Sequence, residues 1–352
     1  MSDGSDLFEQ QRANRRGTRW LVLGFVLFFG WLGFGGDFVF HEMTRQAPAG
    51  DYHHVFPWCT IGMVIVSIAA VAYAWTTGPR KVLWSTGARR LEEPSTPEEK
   101  QLANVVEEMA IASGLPVPEV YLVGDPDPNA FATGWSEEAS AIVVTEGLLR
   151  ICSRDELQAV IGHEMGHIKN LDVRMMTLLA ALVGAVALIH DGASRILSNG
   201  SDTSLLSTSR SSSSSSRSSD EKGGGVGVIV VIVAALWILS FLFAPLITRL
   251  MALAVSRKRE FLADAMSAQF TRNPGALAHA LEKIDDADAP TVSIRGAVAH
   301  LCIADPLGRP VNGRRGFFAD IFGTHPPIEE RVERLREMAY EGGPAAQPAP
   351  AG

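Results

Sequence analysis

The chain has 352 residues, 47% of them hydrophobic and 20% charged, with a formal net charge of −8 at pH 7. That length suits one large domain or two small ones, with ample apolar content for a core, and the mild acidity speaks against a nucleic-acid binder, which shows a basic stripe. Cys59, Cys152 and Cys302 form no CxxC pair, so a disulfide framework is excluded and reduced thiols in a reducing compartment are expected.

The first predicted element is apolar. Trp20 to Gly36 carries no charge and follows Arg12, Arg15, Arg16 and Arg19. A signal peptide starts in the same way. Here the only loose cleavage site, Ala47-Pro48-Ala49, lies too far beyond the apolar core, so a retained anchor is expected. Phe56 to Trp75 is a second uncharged run, and both runs approach the ~20 residues of a membrane helix.

A soluble segment follows. Thr96-Pro97-Glu98-Glu99 supplies an N-cap, a proline at the first helical position and a capping-box glutamate. Leu102, Val105, Val106 and Met109 then share one helical face, and Gly114 ends the helix. Strands are expected at Glu119–Val123, Ala130–Gly134 and Ala141–Thr145, and Ser153 with Glu156 caps the next helix. Met175 to Ile189 is a third apolar run, short enough to be a tilted span or a buried core helix; the span is favoured. Residues 197–225 centre on Ser211–Ser216 with little to bury, so a disordered loop is expected. Val226 to Ile247 is a fourth run, with Pro245 near its end.

Lys and Arg set the orientation. Four arginines precede the first run, only Arg45 lies in the loop from His41 to Val55, and Arg80, Lys81, Arg89 and Arg90 follow the second run. Arg249, Arg257, Lys258 and Arg259 follow the fourth. Four spans with both termini in the cytoplasm satisfy this pattern. The expected organisation is then 1–90, a flank with two spans; 91–174, the first part of a soluble domain; 175–247, a membrane hairpin around the Ser-rich loop; 248–340, the second part; and 341–352, a disordered tail.

The chemistry is concentrated in Gln158-Ala159-Val160-Ile161-Gly162-His163-Glu164-Met165-Gly166-His167-Ile168-Lys169-Asn170. On a helix, His163 and His167 share a face one turn apart, and two neutral imidazoles there can bind one Zn²⁺. Glu164 lies about 100° around the helix and can serve as general base toward water on the metal without being a ligand. A surface helix with two histidines is the bland alternative. A catalytic zinc site wants a third protein ligand and one open position. The candidates are Glu260, Asp264, His325, His279 and His300. Glu260 is favoured, in Ser256-Arg257-Lys258-Arg259-Glu260-Phe261-Leu262-Ala263-Asp264, where Glu260 and Asp264 share a helical face. One carboxylate on the metal and a second orienting a ligand histidine is a sensible division; a solvated face with intrahelical pairs is the alternative. Cys152 as a nucleophile is a minor alternative.

With REFLADAMSA and Thr324-His325-Pro326-Pro327-Ile328-Glu329-Glu330-Arg331 added to HEMGH, and Asn129-Ala130-Phe131-Ala132-Thr133-Gly134 upstream, the sequence resembles the bacterial membrane zinc metallopeptidases of the M48 family, HtpX type, from about Pro97 to Met338. The resemblance implies an α+β, predominantly helical integral membrane protein, with a gluzincin-like peptidase domain, a small β-sheet and about four transmembrane helices. It implies one zinc per chain on His163, His167 and Glu260, with Glu164 as base and Asp264 holding His163. It also implies that His325 and Arg331 lie near the site and stabilise the oxyanion; a rigid turn with a structural histidine is the alternative for the His-Pro-Pro segment.

The expected function is hydrolysis of misfolded or damaged membrane proteins at the cytoplasmic face of the inner membrane. The partners are protein substrates and the lipid bilayer, without nucleic acid, and a homo-oligomer is compatible. An exposed edge of Ala130–Gly134 or Ala141–Thr145 could receive an extended peptide. A non-catalytic membrane scaffold or holdase is the alternative function. A closed structural zinc site lacks its cysteine pairs, and a transporter lacks intramembrane charges.

Overall fold

The computed structural model describes residues 3–45, 47–183, 257–287, 293–294, 298, 301–304 and 326–341. The fourth apolar run, the Ser-rich loop, the end of the third run and the C-terminal tail lie outside the described residues. Those described form a mostly helical protein with one small mixed sheet.

Among the described residues two helices are long and apolar enough to cross a membrane. Helix α1 (Asp3–Thr44) is continuous over 42 residues, far beyond the apolar run it contains, and α2 (Trp58–Ser85) continues through Pro79. Small residues set their approach: a Cβ on Gly33 would meet the Thr60 Cα at 2.5 Å, so a larger residue there would force the helices apart. Asp37 of α1 caps the start of α2. Its carboxylate accepts from the Cys59 and Thr60 backbone N–H groups, both at 2.8 Å, and from the Thr60 hydroxyl at 2.6 Å, which satisfies donors that a helix start leaves free.

The chain divides into two units, one taking in the described residues up to Leu21, from Tyr73 to Ala181 and after Leu250, the other Val22–Ala72 and the described residues from Leu182. In the first unit, strand β1 (Arg89–Arg90) leads to helix α3 (Pro97–Ser113), which carries the expected capping box at Thr96 and Glu99 and ends on left-handed Gly114. Strands β2 (Glu119–Val123), β3 (Ala130–Gly134) and β4 (Ser140–Thr145) complete a sheet of order β1-β2-β4-β3. Strand β2 runs parallel to β4, and the other pairs are antiparallel.

Helix α4 (Glu146–Ile151) turns the chain into α5 (Arg154–Lys169), opened by the Ser153–Glu156 capping box. Helix α5 buries every residue from Ala159 to Ile168, so it is a central helix rather than an amphipathic surface one. Helices α3, α6 (Arg257–Thr271), α7 (Pro274–Asp285) and the strands pack around it, and α8 (Ile328–Glu341) closes on α7 and α6. Leu102, Val106, Ile142, Val160, Met165, Leu277 and Leu335 belong to the shared core. Residues 172–183 are helical, with Met176, Leu178, Leu179 and Leu182 buried; the rest of the third apolar run is outside the described residues.

Candidate functional site

The site forms where α5 and α6 press together through small residues. Gly162 and Gly166 of α5 face Ser267 and Ala263 of α6: a Cβ on Gly166 would stand 3.2 Å from the Ala263 Cα. The Ser267 hydroxyl donates to Ala159 O at 2.6 Å and locks the register. This seam brings Glu260, one turn before Ala263 on α6, over His163 and His167.

His163 Nε2 and His167 Nε2 are 3.1 Å apart. Glu260 Oε2 is 3.8 Å from the first and Oε1 is 3.6 Å from the second. All three side chains are buried, and one donor atom of each lies within 4.8 Å of the others. Ligands at zinc distances in a tetrahedron sit roughly 3.3 Å apart, so the two nitrogens already have the right spacing and the carboxylate needs a few tenths of an ångström.

Each imidazole is tied back through its other nitrogen. His163 Nδ1 is 2.9 Å from Asp264 Oδ1, and His167 Nδ1 is 3.1 Å from Asp172 Oδ2. These carboxylates hold the Nδ1 protons and turn both Nε2 atoms inward, the usual arrangement behind metal-ligating histidines. Burial, against the pull of Asp264, lowers the His163 pKa to about 4. Burial also opposes charge on His167, but the bond to Asp172 and the charges of Glu260, Asp172 and Glu164 prevail and raise it to about 9. The carboxylates of Glu164, Asp172 and Glu260 thus bear on His167, with Arg259 3.8 Å from Asp172 and Arg331 3.8 Å from Glu260 as neighbouring cations.

Arg331, fully buried, grips Asp264 with two bonds, Nε to Oδ2 at 2.9 Å and Nη2 to Oδ1 at 2.7 Å, and donates to Ile303 O at 2.8 Å. Its Nη2 lies 3.5 Å from His163 Nδ1 and its Nη1 lies 3.8 Å from Glu260 Oε2, so it borders both the rear of His163 and the carboxylate that faces the two Nε2 atoms. Glu164 is 1% exposed and bears on both His167 and Arg331. His325 and His300 lie outside the described residues, and His279 is exposed on α7, away from the centre. Cys152 is buried, and burial pushes its thiol up to about 12, which removes it as a nucleophile.

Two residues here went unread in the sequence. Asp172 is one, and Asn14 of α1 is the other: its side-chain amide donates to Asp172 Oδ1 at 2.7 Å and to Asn170 O at 2.9 Å. No helical spacing links Asp172 to His167, because the chain reverses through Leu171, a non-glycine residue at φ 59°.

Residues 96–339 match the sequence model of peptidase family M48. A protease HtpX homolog of Streptococcus gordonii is 36% identical over 335 residues, covering 94% of this chain and all of the relative. Another, from Tropheryma whipplei, is 41% identical over 279 residues, 79% of this chain and 84% of the relative. The crystal structure of S. mikatae Ste24p aligns with 94% of this chain and 67% of its own, at TM-score 0.42 and 17% identity.

Proposed function

The chain belongs to peptidase family M48, and from that premise we propose that it is a membrane-bound, zinc-dependent endopeptidase. Its substrates would be misfolded or damaged membrane proteins, met at the cytoplasmic face of the inner membrane. The observation that carries the reading is the convergence of His163 Nε2, His167 Nε2 and Glu260, with a carboxylate behind each histidine. Leu27 and Ile65, 63% and 61% exposed on α1 and α2, support a membrane location, since such apolar surface favours lipid over water.

His163, His167 and Glu260 would hold the zinc, one per chain. The ion would supply a Lewis acid and an acidified water. Glu164 would take a proton from the attacking water and pass it to the leaving amine. Asp264 and Asp172 would fix the two imidazoles. Arg331 would fix Asp264 through its two hydrogen bonds, and its Nη1 lies 3.8 Å from Glu260 Oε2. His325 and Arg331 would stabilise the oxyanion, as the resemblance implies.

Of the two strands considered for a substrate edge, β4 is interior and β3 is the edge. The antiparallel register turns the backbone groups of residues 130, 132 and 134 away from β4. Ala130 O already accepts from Ile303 N, and Gly134 N donates to the Thr177 hydroxyl. An extended peptide would therefore add around Ala132. Backbone pairing predicts broad specificity, and a narrow preference at several positions in mixed peptide libraries would count against it.

The decisive experiment uses detergent-purified protein, stripped with chelator and resupplied with zinc. Wild type should bind about one zinc and cut an unfolded substrate, while Glu164→Gln should bind the metal equally and not cut. If both bind zinc and neither cuts any substrate, the peptidase reading fails and a scaffold or holdase role takes its place.

A further inference from the structure

A second site lies in the same unit, beside the basic end of α1. Arg174 begins the helical residues 172–183, and its guanidinium lies over the Trp75 ring at 4.6 Å. Trp75 is stacked on Trp135, centroids 4.9 Å apart and planes 15° apart. Arginine over an aromatic face keeps its charge and leaves its in-plane donors for an anion. One of them, Nε, is buried without a hydrogen-bond partner.

The first helix brings more positive charge to this place. Gly17 of α1 sits against Met175, where a Cβ would come within 3.1 Å of the sulfur. Arg15 and Arg19 flank Gly17, both exposed. Burial, together with the positive charges of Arg15 and Arg19, pushes the Arg174 pKa down, so the three like charges repel one another. Among the described residues none of the three has a carboxylate within ion-pair distance. Gln11 and Asn14, about two turns and one turn before Gly17, are spent on the chain at Lys169, Asn170 and Asp172, so α1 is held there by side-chain amides and not by its arginines.

Convergent arginines without a counter-charge are costly unless an anion completes them. The surroundings name the anion's source. Trp20, 69% exposed, follows Arg19, and the apolar run starts there; Tyr73 and Trp75 end the second apolar run, with the Lys81 amine over Tyr73 at 4.7 Å. Exposed Trp and Tyr beside basic residues at the ends of apolar helices mark the headgroup layer. We propose that Arg15, Arg19 and Arg174, walled by Trp75, bind the phosphate headgroup of an anionic glycerophospholipid on the side of the membrane that carries the metal centre. Such a lipid would tie α1, and with it Asn14, to the turn that carries Asp172.

The inference rests on the membrane part of the proposed function and is independent of the peptidase chemistry; release of the chain from cell membranes by detergent alone tests that part separately. For the site itself, full-length protein in neutral detergent is titrated with phosphatidylglycerol or phosphatidylcholine and the bound lipid counted by native mass spectrometry. Wild type should prefer phosphatidylglycerol by about tenfold or more, from roughly fivefold per engaged arginine. Arg174→Gln and the doubly substituted Arg15→Gln/Arg19→Gln protein should each lose most of that preference, whereas Arg12→Gln should keep it. The double variant changes only exposed side chains, so its result stands even if Arg174→Gln folds poorly. Equal retention of the two lipids by wild type, or an unchanged preference in the double variant, would overturn the proposal. Displacement of the lipid by millimolar inorganic phosphate would overturn the lipid assignment in favour of a free-phosphate site.

Discussion

Replacing Gly166 with alanine tests whether the seam between α5 and α6 sets the metal centre. The new Cβ would stand 3.2 Å from the Ala263 Cα and 3.4 Å from the Ala263 carbonyl oxygen. Carbon atoms rest at about 3.5–4.0 Å, and the obstacle is backbone, so α6 must move off by roughly 0.3–0.8 Å. Alanine gains up to about 1 kcal/mol over glycine within a helix, and overpacking costs about 1–3 kcal/mol. Thermal stability should therefore fall by no more than about 2 kcal/mol. Metal affinity should suffer in addition, because Glu260 rides on α6 and a functional constellation tolerates only about 0.5 Å of displacement. A loss of about tenfold in zinc affinity, near 1.4 kcal/mol, is the expected result in a chelator-competition titration. Gly275→Ala is the matched control: its Cβ would meet nothing closer than 3.7 Å, so it should leave zinc binding alone. If Gly166→Ala binds zinc as tightly as wild type, the close helix contact does not position Glu260 and the reasoning fails.

Asp172→Ala should weaken zinc binding by about 10–100-fold, read by the same titration, and Asn14→Ala should reproduce a smaller part of that loss through Asp172. Asp264→Ala leaves the buried Arg331 without its bidentate partner, and breaking such a pair from one side costs about 3–5 kcal/mol; a thermal unfolding midpoint equal to wild type would refute the buried pairing. Glu99 predicts an acid limb. The Ser95 backbone N–H, Arg89 and the Ser95 hydroxyl bind its carboxylate and hold its pKa at about 2, against an ordinary 4.5. A depressed carboxylate contributes stability that is fully present above the ordinary value and is lost as pH falls through the folded one. Wild type should lose stability between about pH 4.5 and 2, and Glu99→Gln should flatten that part of the profile in circular-dichroism unfolding.

What could be read in the sequence follows from how local each signal is. The two capping boxes announce themselves over four residues, and His163, Glu164 and His167 need only a helix to share a centre. Glu260 and Asp264 are one turn apart on a second helix, so their pairing with the histidines needs one tertiary contact, which the glycines of α5 permit. Asp172 was illegible for a physical reason. It reaches back to His167 only because Leu171 adopts a left-handed conformation, and leucine carries no sequence mark for a geometry that costs it roughly 1–2 kcal/mol. The exact placement of Arg331 was illegible for a similar reason. Its place in the sequence brings it to the centre, but only the burial of its side chain against Asp264 and Ile303 O decides which edge of His163 it meets.

The same turn shows how α1 and the site are joined. Asn14 lies six residues before the apolar run, in a stretch that composition reads only as a basic flank. Its amide spans Asn170 O and Asp172 Oδ1, the two polar groups on either side of the strained Leu171. A strained conformation persists only where its surroundings over-determine it, and here α1 supplies part of that restraint. Removal of the first helix should then be felt at His167 through Asp172, even though α1 contributes no ligand. The N-terminal helix is accordingly both a candidate membrane span and a structural part of the centre, which explains why its basic end is folded onto the chain at Lys169 to Met175.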